Sequence, residues 1–152
     1  ISGVPDVPGI SAIIFGVLSD NKINVDMIVQ NISQDGIKAN LTFTVQVNDM
    51  NLAKRLIEAN KSTIKYNSLS TNADVSKISV IGVGMKSQSG VAQKMFQTLA
   101  SKQINILAIS TSEIKISVLI EKRYSEKAVK SLHEAYKLSK TLKIWRMIVS
   151  VI

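Results

Sequence analysis

Asp6, Gly9, Asn24, Asp26 and Gln30 are residue types that can hold a small zwitterion. Asp6-Val7-Pro8-Gly9 reads as a turn, and an apolar stripe after it reads as a helix. A glycine at a helix start leaves backbone N–H groups unpaired and lets a ligand come close. Those amides, at the positive end of the helix dipole, suit a carboxylate. On a strand over Ile23 to Asn31, alternation puts Ile23, Val25, Met27 and Val29 on a buried face. Asn24, Asp26, Ile28 and Gln30 then share the other. Asp6 and Asp26 offer negative charge to an ammonium group. A carboxylate at the amides and an ammonium at the acids describe a free amino acid.

The same frame recurs at a constant offset of 81 residues. Gly9/Gly90, Phe15/Phe96, Leu18/Leu99, Ile23/Ile104, Asn24/Asn105 and Ile28/Ile109 are identical. Asn105 and Thr111 stand where Asn24 and Gln30 stand. Leu107 replaces Asp26 and Ser87 replaces Asp6, so the second frame lacks both acids. Asn24 and Asn105 also suit the turn that follows a helix, and Asp6 also suits a helix cap. Pattern alone leaves the binding and the structural readings open.

A repeat of this period implies two small units of roughly 70 residues each. Each reads strand, helix, strand, strand, helix, with a further strand. In the first, Ile1 to Val4 is a short strand. Ile10 to Lys22 is an amphipathic helix, with Ile10, Ile13, Ile14, Val17 and Leu18 on one stripe. Gln34-Asp35-Gly36 signals a turn, and Leu41 to Val47 is the paired strand. Asp49 is placed to cap a helix with Leu52, Leu56 and Ala59 inward. Ile64 to Leu69 is expected as a closing strand. In the second unit, strands are expected over Ile78 to Val83, Ile104 to Ser112 and Ile114 to Ile120. Val91 to Lys102 is a helix, and Ser125 is placed to cap another through Tyr136. The second halves match at offset 75, which puts six extra residues near Ser33 to Ala39.

The expected fold is α+β: two βαββαβ units in tandem, each an antiparallel sheet with its helices on one face. The boundaries are 1–73, 74–138 and an apolar tail over 139–152. That tail is too apolar to stay solvated and reads as an extra strand or a partner-covered segment.

Composition narrows the chemistry. The 152 residues hold no cysteine and one histidine, His133. This excludes a disulfide framework, a thiolate nucleophile and a His-cluster metal site. No Ser/His/Asp set, phosphate loop with its lysine, or H-E-x-x-H motif is present. Gly82-Val83-Gly84 lacks the full dinucleotide fingerprint. Trp145 and Tyr124 read as packing residues. The formal charge is +8, which raises nucleic acid as a partner. The lysines are scattered, mostly over polar faces, with one dense stretch from Lys122 to Lys143, and Phe43 is the one aromatic on an expected strand. An RNA-reading sheet needs more. No membrane-spanning run or signal peptide is visible, so a cytoplasmic location is expected.

The stretch SGVPDVPGISAIIFGVLSDNKINVDMIVQNIS, followed by LTFTV, resembles the first ACT domain of bacterial aspartokinase. KISVIGVGMKSQSGVAQKMFQTLASKQINILAISTSEIKISVLI resembles the second. INVDMIVQN, GVGMKSQSGVA and ISTSEIKISVLI carry the likeness most specifically, and it covers about residues 1–138. It implies tandem ferredoxin-like ACT domains that sense lysine, threonine or both for feedback inhibition of the aspartate pathway. The chain itself would be non-catalytic and without a cofactor. The parent kinase would use ATP and Mg to make aspartyl phosphate.

The resemblance further implies a homodimer and a partnership with the aspartokinase catalytic domain or, for a separate β subunit, the catalytic subunit. Ligands would sit between ACT domains of two chains. The first site would comprise Asp6, Gly9, Ile10, Ser11, Asn24, Val25, Asp26 and Gln30. The second would comprise Met85, Ser87, Gly90, Val91, Asn105, Ile106 and Thr111. Val7 and Ser89 depart mildly from the family pattern. The strand that precedes the first domain in the family, and completes the second, has no counterpart here, which leaves a sheet edge for the tail to cover. The competing readings are a basic tandem ferredoxin-like nucleic-acid binder and a free-standing ACT regulator.

Overall fold

The computed structural model describes the chain apart from residues 34–35, 83–89, 138–144 and 151–152, with the backbone alone over 145–150. Two compact units divide at residues 73 and 74. The first contains β1 (Val4–Pro5), α1 (Ile10–Asp20), β2 (Val25–Ile32), β3 (Lys38–Val45), α2 (Met50–Ala59) and α3 (Lys61–Ile64). The second contains β4 (Val75–Gly82), α4 (Val91–Ser101), β5 (Ala108–Thr111), β6 (Lys115–Glu121), α5 (Ser125–Ala135) and β7 (Trp145–Ser150). The sheet orders are β1-β3-β2 and β5-β6-β4-β7. Every pairing is antiparallel. No helix among the described residues is long and apolar enough to cross a membrane.

Four-residue spacing puts Ile10, Ile14 and Leu18 on one face of α1, where they are buried with Val4 and Leu41 of the sheet. Ile13, expected on that stripe, stays 40% exposed. In α4, Met95 and Leu99 take the places of Ile14 and Leu18 and pack with Ile78, Val80 and Val118. Each such side chain contributes about 1.5–3 kcal/mol by leaving water. The two helices end alike. Lys22 and Gln103 take φ of 59° and 58°. Ile23 and Ile104 then donate their N–H groups to the carbonyls of Leu18 and Leu99, both at 3.0 Å. That closure satisfies carbonyls a helix end would otherwise orphan.

Several expectations fail for local reasons. Ile64 to Leu69 is not a strand. The chain continues helically through α3 to bury Ile64, turns left-handed at Lys65, and then makes a single bridge, Ser2–Ser68, in place of a strand. Asp49 and Ser125 cap nothing, because a 3-10 turn precedes each helix and feeds directly into it. The Ser125 hydroxyl instead lies 2.6 Å from the Lys122 carbonyl and 2.7 Å from the Ser76 hydroxyl. In α2 the inward residues are Ala53 and Ile57, with Leu52 and Leu56 half-buried and Ala59 exposed. Part of the 139–152 tail forms β7, which pairs with β4 from Lys77↔Ser150 to Gly82↔Trp145. The edge of β4 expected to be open is thereby covered.

The central hairpins differ in length. In the first unit the ladder runs to Ile32↔Ala39, and the turn closes at Ser33 and Lys38. In the second it ends at Thr111↔Ile116 and closes at Ser112 and Lys115. The expected turn residues Gln34 and Asp35 lie outside the described residues.

Candidate functional site

The two helix starts are nearly superposable in conformation. Gly9 has φ 91° and ψ −16°, and Gly90 has φ 96° and ψ −7°. Both lie in the left-handed region, where any other residue is strained. Among the described residues, an added Cβ would meet nothing within 4 Å at either position, so backbone conformation calls for glycine. No side chain among the described residues caps either helix start. Asp6 therefore does not cap α1. Its N–H donates to the Ile37 carbonyl at 3.0 Å, tying the turn to the long hairpin. In the first turn of α1, Ile13 N–H reaches the Gly9 carbonyl at 3.1 Å and Ile10 N–H reaches Val7 at 3.4 Å. The Ser11 and Ala12 amides are of the kind a helix start leaves available. Asp6 and Gly9 are exposed beside them, Ser11 is half-buried and Ile10 is buried.

The strand side corrects the expected alternation. Val25 pairs with Val45, but Ile28 pairs with Phe43, so one extra residue sits in β2 between them. At this bulge the Met27 N–H donates to the Thr44 hydroxyl at 3.0 Å. A bulge resets the parity of every residue beyond it. Directly paired residues share a face, so Ile28, Gln30 and Ile32 join Phe43, Leu41 and Ala39 on the helix side. Val29 and Asn31 join Thr42 and Asn40 on the other. Asn24, Asp26 and Gln30 are all exposed, but they are not one row on one face. Ile28 is 49% exposed although it faces the helix side, because β2 is an edge strand.

Distance separates the set further. β1 ends at Pro5, opposite Lys38, so the Asp6–Gly9 turn lies at the Ile32 end of β2. Gln30 is two rungs from that end. Asn24 is six residues further along, roughly 20 Å of strand. Asp6, Gly9, Ile10, Ser11 and Gln30 therefore gather at one end of the unit. Asn24, Val25 and Asp26 lie toward the other.

The second unit repeats the split. Gly90 and half-buried Val91 open α4, and exposed Thr111 ends β5. Exposed Asn105 and half-buried Ile106 precede β5 at the far end, next to Leu107, 47% exposed. Met85 and Ser87 lie outside the described residues.

Sequence reasoning missed Tyr136, whose hydroxyl donates to the Val91 carbonyl at 2.6 Å. Its ring is half-buried, with Lys94 Nζ 5.3 Å from the ring centre. Burial pushes this phenol up to about 12, against a smaller opposing pull from the Met95 N–H. Nothing in a one-dimensional pattern links a residue after α5 to the start of α4.

An ACT domain family model matches residues 2–60 and 78–136. An aspartate kinase of Pseudomonas fluorescens is 46% identical over 138 residues, covering 91% of this chain and 33% of its own. A crystal structure of aspartokinase alpha and beta subunits aligns with a TM-score of 0.82 at 42% identity, covering 90% of this chain and 89% of that one. The ligand-free regulatory subunit of aspartate kinase from Thermus thermophilus aligns with a TM-score of 0.81 at 37% identity, covering 89% and 88%. The chain thus spans about a third of the Pseudomonas kinase (33%) and most of that regulatory subunit (88%).

Proposed function

The chain belongs to the ACT domain family, as the regulatory module of an aspartokinase, and from that premise we propose that it is a feedback sensor binding free lysine, threonine or both. The observation that carries this reading is the twice-built helix start. Gly9 and Gly90 hold equivalent left-handed conformations with no side-chain cap among the described residues, each at the end of its unit where Gln30 or Thr111 also lies. Each start offers amides to a carboxylate. In the first unit Asp6 and Asp26 add charge for an α- or ε-ammonium.

The separation of Asp26 from Gly9 favours a site completed by a second copy. β2 and β5 are edge strands and expose Ile28, Ile32 and Ile109, with exposed Leu107 just before β5. Unpaired edges with apolar side chains invite pairing. Antiparallel two-fold pairing of β2 with its copy carries the Asn24–Asp26 end of one strand toward the Gln30 end of the other. An isologous contact then makes two equal sites. An amino acid bridging two units favours whichever arrangement closes the site, to the extent of its differential affinity. In the whole enzyme that arrangement restrains a kinase part, which would phosphorylate aspartate with ATP and Mg. In this reading the chain supplies the sensing groups.

Calorimetric titration of lysine, threonine and methionine, beside an oligonucleotide at two salt concentrations, tests the reading. Saturable binding of lysine or threonine is expected, with sedimentation showing a dimer at micromolar concentration. Salt-sensitive oligonucleotide binding without any amino-acid response would overturn it in favour of the nucleic-acid alternative. A monomer with and without amino acid would remove the shared site.

A further inference from the structure

We propose that Tyr136 is a positioning residue that holds the first turn of α4 against the end of α5, and so sets the helix start at which an effector would bind in the second unit. The effector clause rests on the functional reading above, whereas the strap stands on geometry. Tyr136 follows the last residue of α5, and its N–H closes onto the Leu132 carbonyl at 2.9 Å. Lys137 then turns left-handed at φ 55°, so the chain leaves the helix here. The side chain reaches back across the helix pair to Val91, the residue directly after Gly90. A helix carbonyl has two lone pairs, and the intrahelical bond uses one. The hydroxyl takes the other. Burial keeps the phenol protonated far above neutral pH, so it stays a donor.

Among the described residues, no counterpart of this strap joins α2 to the start of α1. Asn60 is the residue that follows α2, and its Nδ2 folds back onto the Leu56 carbonyl of its own helix at 2.9 Å. There the turn before α1 is held from the hairpin, through Asp6 N–H and the Ile37 carbonyl. Two equivalent helix starts are thus tied to different elements. Among the described residues, the second is tied to the end of α5 and the first to the β2–β3 hairpin.

Amide hydrogen exchange on the intact chain and on Tyr136→Phe tests this. The phenylalanine keeps the ring and its packing, so the fold should survive with unchanged circular dichroism. The Lys94 and Met95 amides, bonded within the first turn of α4, should exchange roughly fivefold to tenfold faster. Amides of α1 and of the β4–β6 ladder should be unchanged. Uniform acceleration across the second unit, or none at Lys94 and Met95, would overturn the positioning role. A second arm adds saturating lysine or threonine. Extra protection at the α4 start in the parent chain, lost in Tyr136→Phe, supports the link to binding. Equal protection in both chains overturns that link. Protection in neither overturns the effector reading of this helix start, while the ligand-free arm still decides the strap.

Discussion

The two units share a backbone and differ in lining. Gly9 and Gly90, Lys22 and Gln103, and the Ile23 and Ile104 closures agree within a few degrees and a tenth of an ångström. Around that frame the chemistry diverges. Residues 1–73 carry six Lys/Arg and six Asp/Glu, whereas residues 74–152 carry thirteen and five, so the second unit holds the entire formal charge of +8. Asp26 in one is Leu107 in the other. The lesson is that positions fixed by backbone conformation and core packing stay alike, while those free to meet solvent or ligand separate. Equivalent helix starts with unequal charge should differ in occupancy.

The largest expected effect tests the shared frame. Leu18 and Leu99 are both fully buried at equivalent positions. Leu18→Ala and Leu99→Ala should each cost about 2–5 kcal/mol in urea unfolding. A cost under about 1 kcal/mol at either would show that the two cores are not equivalent.

The next effect sharpens the difference. An effector at a hundredfold its Kd stabilises the folded form by about 2.7 kcal/mol, read as a rise in melting temperature. Gln30→Ala should abolish most of that rise. Thr111→Ala should leave more than half. The reverse ranking would exchange the roles of the two units.

A smaller effect returns to the common frame. Gly9→Ala and Gly90→Ala force a side chain into the left-handed region, at a cost of roughly 1–2 kcal/mol each. Open space around both means no clash adds to it. Stabilities unchanged by either substitution would refute the conformational argument.

The smallest effect concerns alkaline pH. Tyr136, raised to about 12 from 10.0, keeps its proton longer in the folded chain than in the unfolded one. Its contribution is intact below pH 10 and is lost as pH rises through 12. Tyr66 in the first unit is also raised, by burial and by Glu58, and adds loss in the same direction. Lys77, lowered by burial and by Lys115, acts oppositely: stability rises with pH between its depressed value and 10.5. Between pH 10.5 and 12, Tyr136→Phe should therefore flatten part of the decline in unfolding free energy. An identical decline would place the titration elsewhere.

Much of this was legible in one dimension. Identities at a fixed offset located both units, both helix starts and the difference in hairpin length, because each rests on local backbone or core demands. The bulge in β2 was not legible. One extra residue leaves composition untouched yet resets which side chains share a face. The span between Asn24 and Gly9 was hidden for a related reason: strand direction, not sequence proximity, decides which end of β2 meets the turn. Ile64 to Leu69 looked like a strand because its apolar residues suit a sheet, but burying Ile64 and Tyr66 needed a helical turn and a left-handed Lys65. The contact from Tyr136 to Val91 joins residues 45 apart and had no periodic signal.

The central claim is that the chain binds a free amino acid chiefly through its first unit. Calorimetric titration of lysine and of threonine into the parent chain and into Asp26→Ala tests it most directly. The account predicts saturable binding in the parent chain and a loss of about 2–5 kcal/mol in the variant, as expected when a charge-assisted contact to a desolvated ammonium is broken. No binding of either amino acid, or unaltered affinity in a folded Asp26→Ala chain, would contradict it.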